Sequence, residues 1–438
     1  MIDPTIAYGA LSYWHDSAPA RHGSRQIEPG ARYDVAIVGG GVTGLWTAYQ
    51  LLAHGPTRSV ALLEQEEVGF GSSGRCTGLV TTRMGRSLRQ MLREYGSERA
   101  LTLWRAGAET VQDAARIIET EQVECEFRSG QLFTIAASET EEQEIRRELA
   151  AAELIRLDSV GLLDSDDAQQ VAGSPAYRLG MTETQCAYVH PLKLVRGLAV
   201  AAVHRGLALF ERCGPAAVLD EGNKVRVDCP DGPVYAEQVV LATNAWAAHD
   251  PPFRRSVVPA YSYLIATEPL SDEMWARLGN NRWHSLQVKH RHTYFARKTL
   301  DGRIIWGRNG ATTTFRSELG ARRDRDEHMF RLLEASLAAS FPPLGRVRLT
   351  HAWGGPTAVT PGGRPKLGSL SPRVHYGFGH GMHNLGPSFL AGRVLRDLVS
   401  GERTGVTAAV GVDSVPARHP PEPLRFLASQ LRQFARAQ

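Results

Sequence analysis

The chain has 438 residues, 42% of them hydrophobic and 22% charged, with a formal net charge of +4. This is globular composition with enough apolar material for a large core, and it excludes a disordered or collagen-like chain. At roughly 150 residues per domain the length allows two or three domains. Charges of both signs are interspersed, which argues against a nucleic-acid partner, and no apolar run approaches the ~18 residues of a membrane span.

Residues 1–31 read as a polar arm whose Trp14 docks on the body. Asp34–Val38 is a short apolar run, read as a buried parallel strand. Glycines follow, and Leu45, Ala48, Tyr49, Leu51 and Leu52 then recur at helical spacing. A second strand, Val60–Leu63, ends at Glu64. Further on, Gln131–Ile135 alternates like a half-buried antiparallel strand. Glu139–Leu154 is a charged surface helix, and Pro191 opens a helix with Leu194, Val195, Leu198 and Val203 on its apolar face. A strand at Val239–Ala242 follows, then strands at Tyr261–Thr267, Thr293–Arg297 and Arg303–Gly307, and a helix from Asp326 to Ser340. A glycine-rich strand-to-helix segment spans Tyr376–Leu398. Leu424, Leu427, Leu431 and Phe434 predict an amphipathic tail helix.

Three glycine-rich blocks carry the chemistry. In Gly39-Gly40-Gly41-Val42-Thr43-Gly44, Gly39 permits the tight turn, Gly41 lets backbone approach a pyrophosphate, and Gly44 allows close helix–strand packing. Here a strand precedes and a helix follows, so helix N–H groups face the phosphates. Glu64 lies where a ribose acceptor belongs, and its charge disfavours a 2′-phosphate. This fingerprint alone leaves FAD and NAD open. The second block holds Gly69, Gly71, Ser72, Ser73, Gly74, Arg75, Cys76, Thr77, Gly78 and Leu79, whose small residues let backbone lie against a flat ligand. The third, Gly377 to Asn384, includes Gly379, His380, Gly381, Met382, His383 and Asn384. It aims a second helix N-terminus at something anionic, which in a flavoprotein is the N1/C2=O edge of the ring. His383, at that helix start, is the candidate catalytic acid/base group.

Five cysteines (Cys76, Cys125, Cys186, Cys213, Cys229) show no CxxC spacing, so no disulfide framework or zinc site is expected and a cytoplasmic location is the simplest reading. His290 and His292 have no further ligand nearby, so no metal site is expected.

Together these blocks, with Ser12-Tyr13-Trp14, Ala242-Thr243-Asn244-Ala245 and Trp353-Gly354-Gly355, make the chain resemble the FAD-dependent D-amino-acid oxidase/glycine oxidase superfamily. It is most similar to the gamma-glutamylputrescine oxidoreductase-like branch. The resemblance implies an α/β fold: a Rossmann-type FAD-binding domain (residues 32–100, 186–250 and 346–402) interleaved with a mostly antiparallel α+β substrate domain (101–185 and 251–345). The arm is then 1–31 and the tail helix 403–438. It further implies bound FAD and oxidation of a C–N bond in a small amine or amino acid. Hydride passes to flavin N5, the imine is hydrolysed, and electrons go to oxygen or another acceptor. The alternatives are a dehydrogenase using a quinone or an electron-transfer protein, and a non-catalytic flavoprotein subunit. The resemblance adds Pro215, Thr243, Asn244 and Gly354 to the cofactor-binding set and places Tyr294 and Arg297 on a strand that in relatives faces the ring; these two, with Tyr263 and Trp353 as aromatic walls of an apolar pocket, are the expected substrate-binding residues.

Several positions depart from relatives. Arg75 stands where some relatives link flavin through histidine, and Cys76 where the branch has Asn. Gly78, Thr81 and His383 replace the carboxylate-holding arginines and lysine of sarcosine-oxidase relatives, with Arg83 or Arg86 as possible substitutes. The position of their oxygen-promoting lysine falls near Ile305, and Lys298 is the nearest lysine. Only five of the 50 basic residues are lysines.

Overall fold

The computed structural model describes residues 11–20, 25–54, 58–278, 283–290, 292–310, 312–380, 385–412 and 416–426. Two sheets organise them. In the first, the strands run in the order Lys366–Ser371, Val374–Phe378, Gly232–Leu241, Arg32–Val38, Val60–Leu63, Ala208–Phe210, with Val225–Cys229 and Ala217–Asp220 as an antiparallel extension of Gly232–Leu241. The five strands from Val374–Phe378 to Ala208–Phe210 are mutually parallel. Their central residues, such as Ile37, Leu62 and Val240, are fully buried. That explains why they read as continuous apolar runs rather than alternating ones. Helices Val42–Ala53, Pro191–His204 and Gly386–Val399 cover one face.

The second sheet has ten strands, ordered Thr312–Thr313, Val258–Thr267, Ile304–Arg308, Thr293–Lys298, Ser285–Lys289, Arg128–Ala136, Leu179–Tyr188, Leu79–Thr81, with Leu349–Val359 also paired to Val258–Thr267 and Val160–Leu163 to Leu179–Tyr188. All neighbours are antiparallel except Arg128–Ala136 with Ser285–Lys289. The α/β fold with an antiparallel second layer is therefore as the sequence implied. Two segments differ from expectation. Leu79–Thr81 and Leu349–Val359 fall within ranges expected to belong to the first domain, yet both hydrogen-bond into the second sheet. The chain crosses between sheets inside those segments, where composition does not change.

The two faces of the second sheet have different partners. Tyr261, Tyr263, Ile265, Ala296 and Trp306 pack under helix Glu327–Ser340 through Phe330 and Leu333. Leu264, Ala266, Ile305 and Trp353 instead meet Leu192 of helix Pro191–His204 and the arm residues Tyr13 and Trp14. Trp14 does dock: its indole N–H donates to the Cys76 carbonyl at 2.7 Å, and Ser12 Oγ donates to the Gly74 carbonyl at 3.2 Å. Of the expected tail helix, 427–438 lie outside the described residues. Residues 424–426 are helical, and 416–421 before them run as extended chain against Arg255 and Ser256.

Candidate cofactor cleft

Four adjacent parallel strands of the first sheet end along one elongated cleft with about 1300 Å³ of empty space, part of it open to solvent. Val60–Leu63 delivers Glu64, Arg32–Val38 delivers the Gly39–Gly44 turn, Gly232–Leu241 delivers Thr243 and Asn244, and Val374–Phe378 delivers Gly379 and His380. Ligands of open α/β sheets bind outside the carboxyl ends of such strands. Glu64 and His380 follow strands three places apart, hence roughly 14 Å at about 4.8 Å per strand.

The turn is built for close approach. Gly39 has φ +115°, and a Cβ there would stand 2.6 Å from the Ala242 carbonyl oxygen. A Cβ at Gly44 would overlap the Gly39 carbonyl oxygen. Helix Val42–Ala53 starts at Gly41 with no capping side chain of its own. Ser73 Oγ, from the second block, takes the Val42 N–H at 3.1 Å, so the two blocks meet over the helix N-terminus. The Ser72 hydroxyl accepts from Asn244 Nδ2 at 2.9 Å, and Asn244 Oδ1 accepts the Gly379 N–H at 3.2 Å. One amide thus ties the second block to the third. Pro215, Thr43 and Cys76 line the cleft as well.

Glu64 accepts the Gly40 N–H at 2.6 Å and the Glu66 N–H at 3.0 Å. Burial pushes its pKa up to about 7, against the pull of those two N–H donors. Burial likewise raises the Cys76 thiol to about 11, which favours its protonated form.

The rest of the predicted set separates by position. Gly381, Met382, His383 and Asn384 lie outside the described residues, so the candidate catalytic histidine has no structural account here. The Arg75 guanidinium does not enter the cleft. It donates to the Phe70 carbonyl at 2.9 Å and the Gly354 carbonyl at 3.2 Å, and pairs with Asp324 at 2.8 Å. Arg75 and Gly354 therefore join the second block to the second sheet. Thr77, Gly78 and Leu79 pass from the cleft into that sheet, where the Gly78 carbonyl accepts from Val189 N–H and the Leu79 carbonyl from Leu385 N–H.

None of the four expected substrate residues lines the cleft. Tyr263 donates its hydroxyl to the Arg323 carbonyl at 2.9 Å, and Tyr294 stacks on Trp306 at 5.2 Å between ring centres. Both sit on the face turned to helix Glu327–Ser340. Arg297, three residues from Tyr294, is on the other face, because strand side chains alternate. The same alternation puts Trp353 opposite Leu264, where its N–H donates to the Arg75 carbonyl at 2.9 Å. Arg297 is buried above the Tyr188 ring at 4.7 Å and donates to the His284 carbonyl at 3.2 Å. Its Nε has no partner among the described residues, and burial lowers its pKa to about 10. Arg83 is committed to a bidentate pair with Glu183, and Arg86 to Glu94 and the Gly362 carbonyl. Neither is free to serve as a substitute clamp.

Residues 34–398 match the family FAD dependent oxidoreductase (DAO). The chain belongs to this family. It is 27% identical over 415 residues to a probable oxidoreductase OrdL of Haemophilus influenzae, covering 92% of each chain. It is also 27% identical over 385 residues to gamma-glutamylputrescine oxidoreductase of Escherichia coli, covering 87% of each. Glycine oxidase from Geobacillus kaustophilus shares the fold with a TM-score of 0.71 at 22% identity, over 89% of this chain and all of that one. The chain is an FAD-dependent oxidoreductase. The lining of the cleft fits that cofactor in chemistry: Glu64 would accept from a ribose, the N-terminus of Val42–Ala53 would face the pyrophosphate, and the wall around Cys76 and His380 would be left for the ring.

The Glu64 environment gives a pH signature. Ribose hydroxyls donate best to an ionised carboxylate. A group with a pKa of about 7 is roughly tenfold more ionised at pH 8 than at pH 6, so FAD is expected to bind the apoprotein about tenfold more tightly at pH 8. In the apoprotein the sign reverses. The unfolded carboxyl ionises near ~4.3, the folded one near 7, so stability falls as pH rises across that interval and stays lower above it. Glu64→Gln is expected to flatten both profiles and weaken FAD binding. FAD titration monitored by fluorescence at several pH values checks this, and a flat wild-type profile contradicts it.

Proposed function

We propose that the chain oxidises a C–N bond of a small amine or amino acid. The observation that carries this substrate class is the similarity, over 87% of both chains, to gamma-glutamylputrescine oxidoreductase. FAD, when bound, accepts a hydride equivalent from the substrate carbon. The chain itself supplies binding, orientation and electrostatics. Glu64 and the N-terminus of Val42–Ala53 fix the dinucleotide. Asn244 holds Ser72 and Gly379 together over the cleft. Water hydrolyses the released imine, so turnover is expected to yield a carbonyl product and a freed amine in equal amounts. A carbonyl product without amine release contradicts the proposal.

A second reading concerns the electron acceptor. Ile305, near which the position of the relatives' oxygen-promoting lysine falls, is apolar and fully buried. Lys298 sits over the Trp275 ring at 4.2 Å, and Trp275 belongs to the core on the opposite face. This favours a quinone or an electron-transfer protein over oxygen.

A further inference from the structure

His380 follows strand Val374–Phe378 directly after Gly379, whose N–H is held by Asn244. Its side chain lines the cleft and is only 5% exposed. Neither ring nitrogen has a hydrogen-bond partner among the described residues. An imidazole buried in this way pays the desolvation cost of each unmet polar group, and such groups call for a ligand or an ordered water. Burial lowers its pKa to about 4, against the pull of the nearby Gly377 carbonyl. At neutral pH the ring is therefore uncharged, with one N–H donor and one acceptor nitrogen.

Its place in the sheet says which part of the cofactor it meets. Glu64 marks the ribose and the Gly39–Gly44 turn the pyrophosphate. His380 lies beyond both, just after Val374–Phe378, the cleft-lining strand farthest from Glu64. Cys76 and Leu385 line the wall with it.

We propose that His380 hydrogen-bonds the isoalloxazine edge of FAD as an uncharged donor, and that this bond is stronger to the reduced than to the oxidised cofactor. The inference rests on the FAD reading and adds a named side chain to it. Reduction places negative charge on the N1/C2=O edge, and a hydrogen bond to a charged acceptor is roughly twice as strong as a neutral one.

The experiment compares wild type, His380→Phe and His380→Asn as FAD-loaded full chains. It measures the affinity for oxidised FAD and the two-electron midpoint potential. His380→Phe is expected to lose about tenfold more affinity for reduced than for oxidised FAD, a fall of about 30 mV in potential. His380→Asn keeps an N–H donor and is expected to recover most of it. Unchanged potentials in both variants, or equal losses in both redox states, overturn the proposal. Wild-type protein provides a check that needs no stable Phe variant. The His380 ring nitrogen resonances in 15N-histidine-labelled protein, assigned by their loss in His380→Asn, are expected to shift when FAD binds and again on reduction. Resonances that stay in place overturn it equally. A wild-type chain that takes up no FAD at all fails the cofactor reading instead, and is recognised before any variant is compared.

Discussion

Gly44→Ala is expected to weaken FAD binding roughly 30-fold and to lower the flavin content of the purified protein. The added methyl would overlap the Gly39 carbonyl oxygen and approach Ile37 Cγ2 at 3.3 Å. Gly39 cannot give way. Its N–H is bonded to the Leu63 carbonyl at 2.9 Å, and its other side faces Ala242, itself bonded to the Val38 carbonyl at 2.9 Å. Relief requires moving the start of helix Val42–Ala53 off its strand, which takes the phosphate-facing N–H groups with it. Overpacking of this kind costs about 1–3 kcal/mol, occasionally more. If ~2 kcal/mol falls on cofactor binding, affinity drops roughly 30-fold. Flavin content after purification and FAD titration of the apoprotein measure it. Gly405→Ala is the control: nothing lies within 4 Å of its added methyl, and it is expected to retain FAD like wild type.

Arg75→Met carries the second large effect, on stability. The guanidinium is 2% exposed and neutralises Asp324, while also satisfying two carbonyls from different parts of the chain. Removing one partner of a buried ion pair costs about 3–5 kcal/mol, because the other charge is left uncompensated. Burial already raises the Asp324 carboxyl despite the pull of Arg75. Without Arg75 the carboxyl rises further, so the variant's deficit is expected to grow as pH rises past the acid range and to shrink at low pH. Denaturant unfolding at pH 5 and pH 8 tests the sign. Arg75→Met combined with Asp324→Asn is expected to regain part of the loss. Because Phe70 lines the cleft, the single variant should also hold FAD less well.

The nucleotide-binding half of this account was legible in the sequence because its signals are local. A fully buried parallel strand, a turn that only glycine can make and a ribose acceptor all fall within 32 residues, Tyr33 to Glu64. The pairing of the second sheet was less legible, since Leu79–Thr81 and Leu349–Val359 find their partners far along the chain. Helix Leu88–Thr120 has no place in the sequence reading, although Trp104, Val111, Ala114 and Ile118 recur at helical spacing on its buried face. It is rich in charge, and Gly96 interrupts it at φ +75°. Tyr294 and Arg297 were both assigned to the substrate, yet an odd spacing on a strand sends them to opposite faces. Arg75 sits inside the cofactor block but turns toward Gly354 and Asp324. No local pattern announces a tertiary partner more than 200 residues away.

The central claim is that bound FAD takes electrons from an amine. The most direct measurement is anaerobic bleaching of the flavin absorbance in purified holoprotein, using a panel of primary amines, secondary amines, D- and L-amino acids, and hydroxy acids. At least one amine or amino acid is expected to bleach the flavin, and readmitted air is expected to restore the colour slowly if oxygen is a poor acceptor. Bleaching by a hydroxy acid with none by any amine would contradict the account.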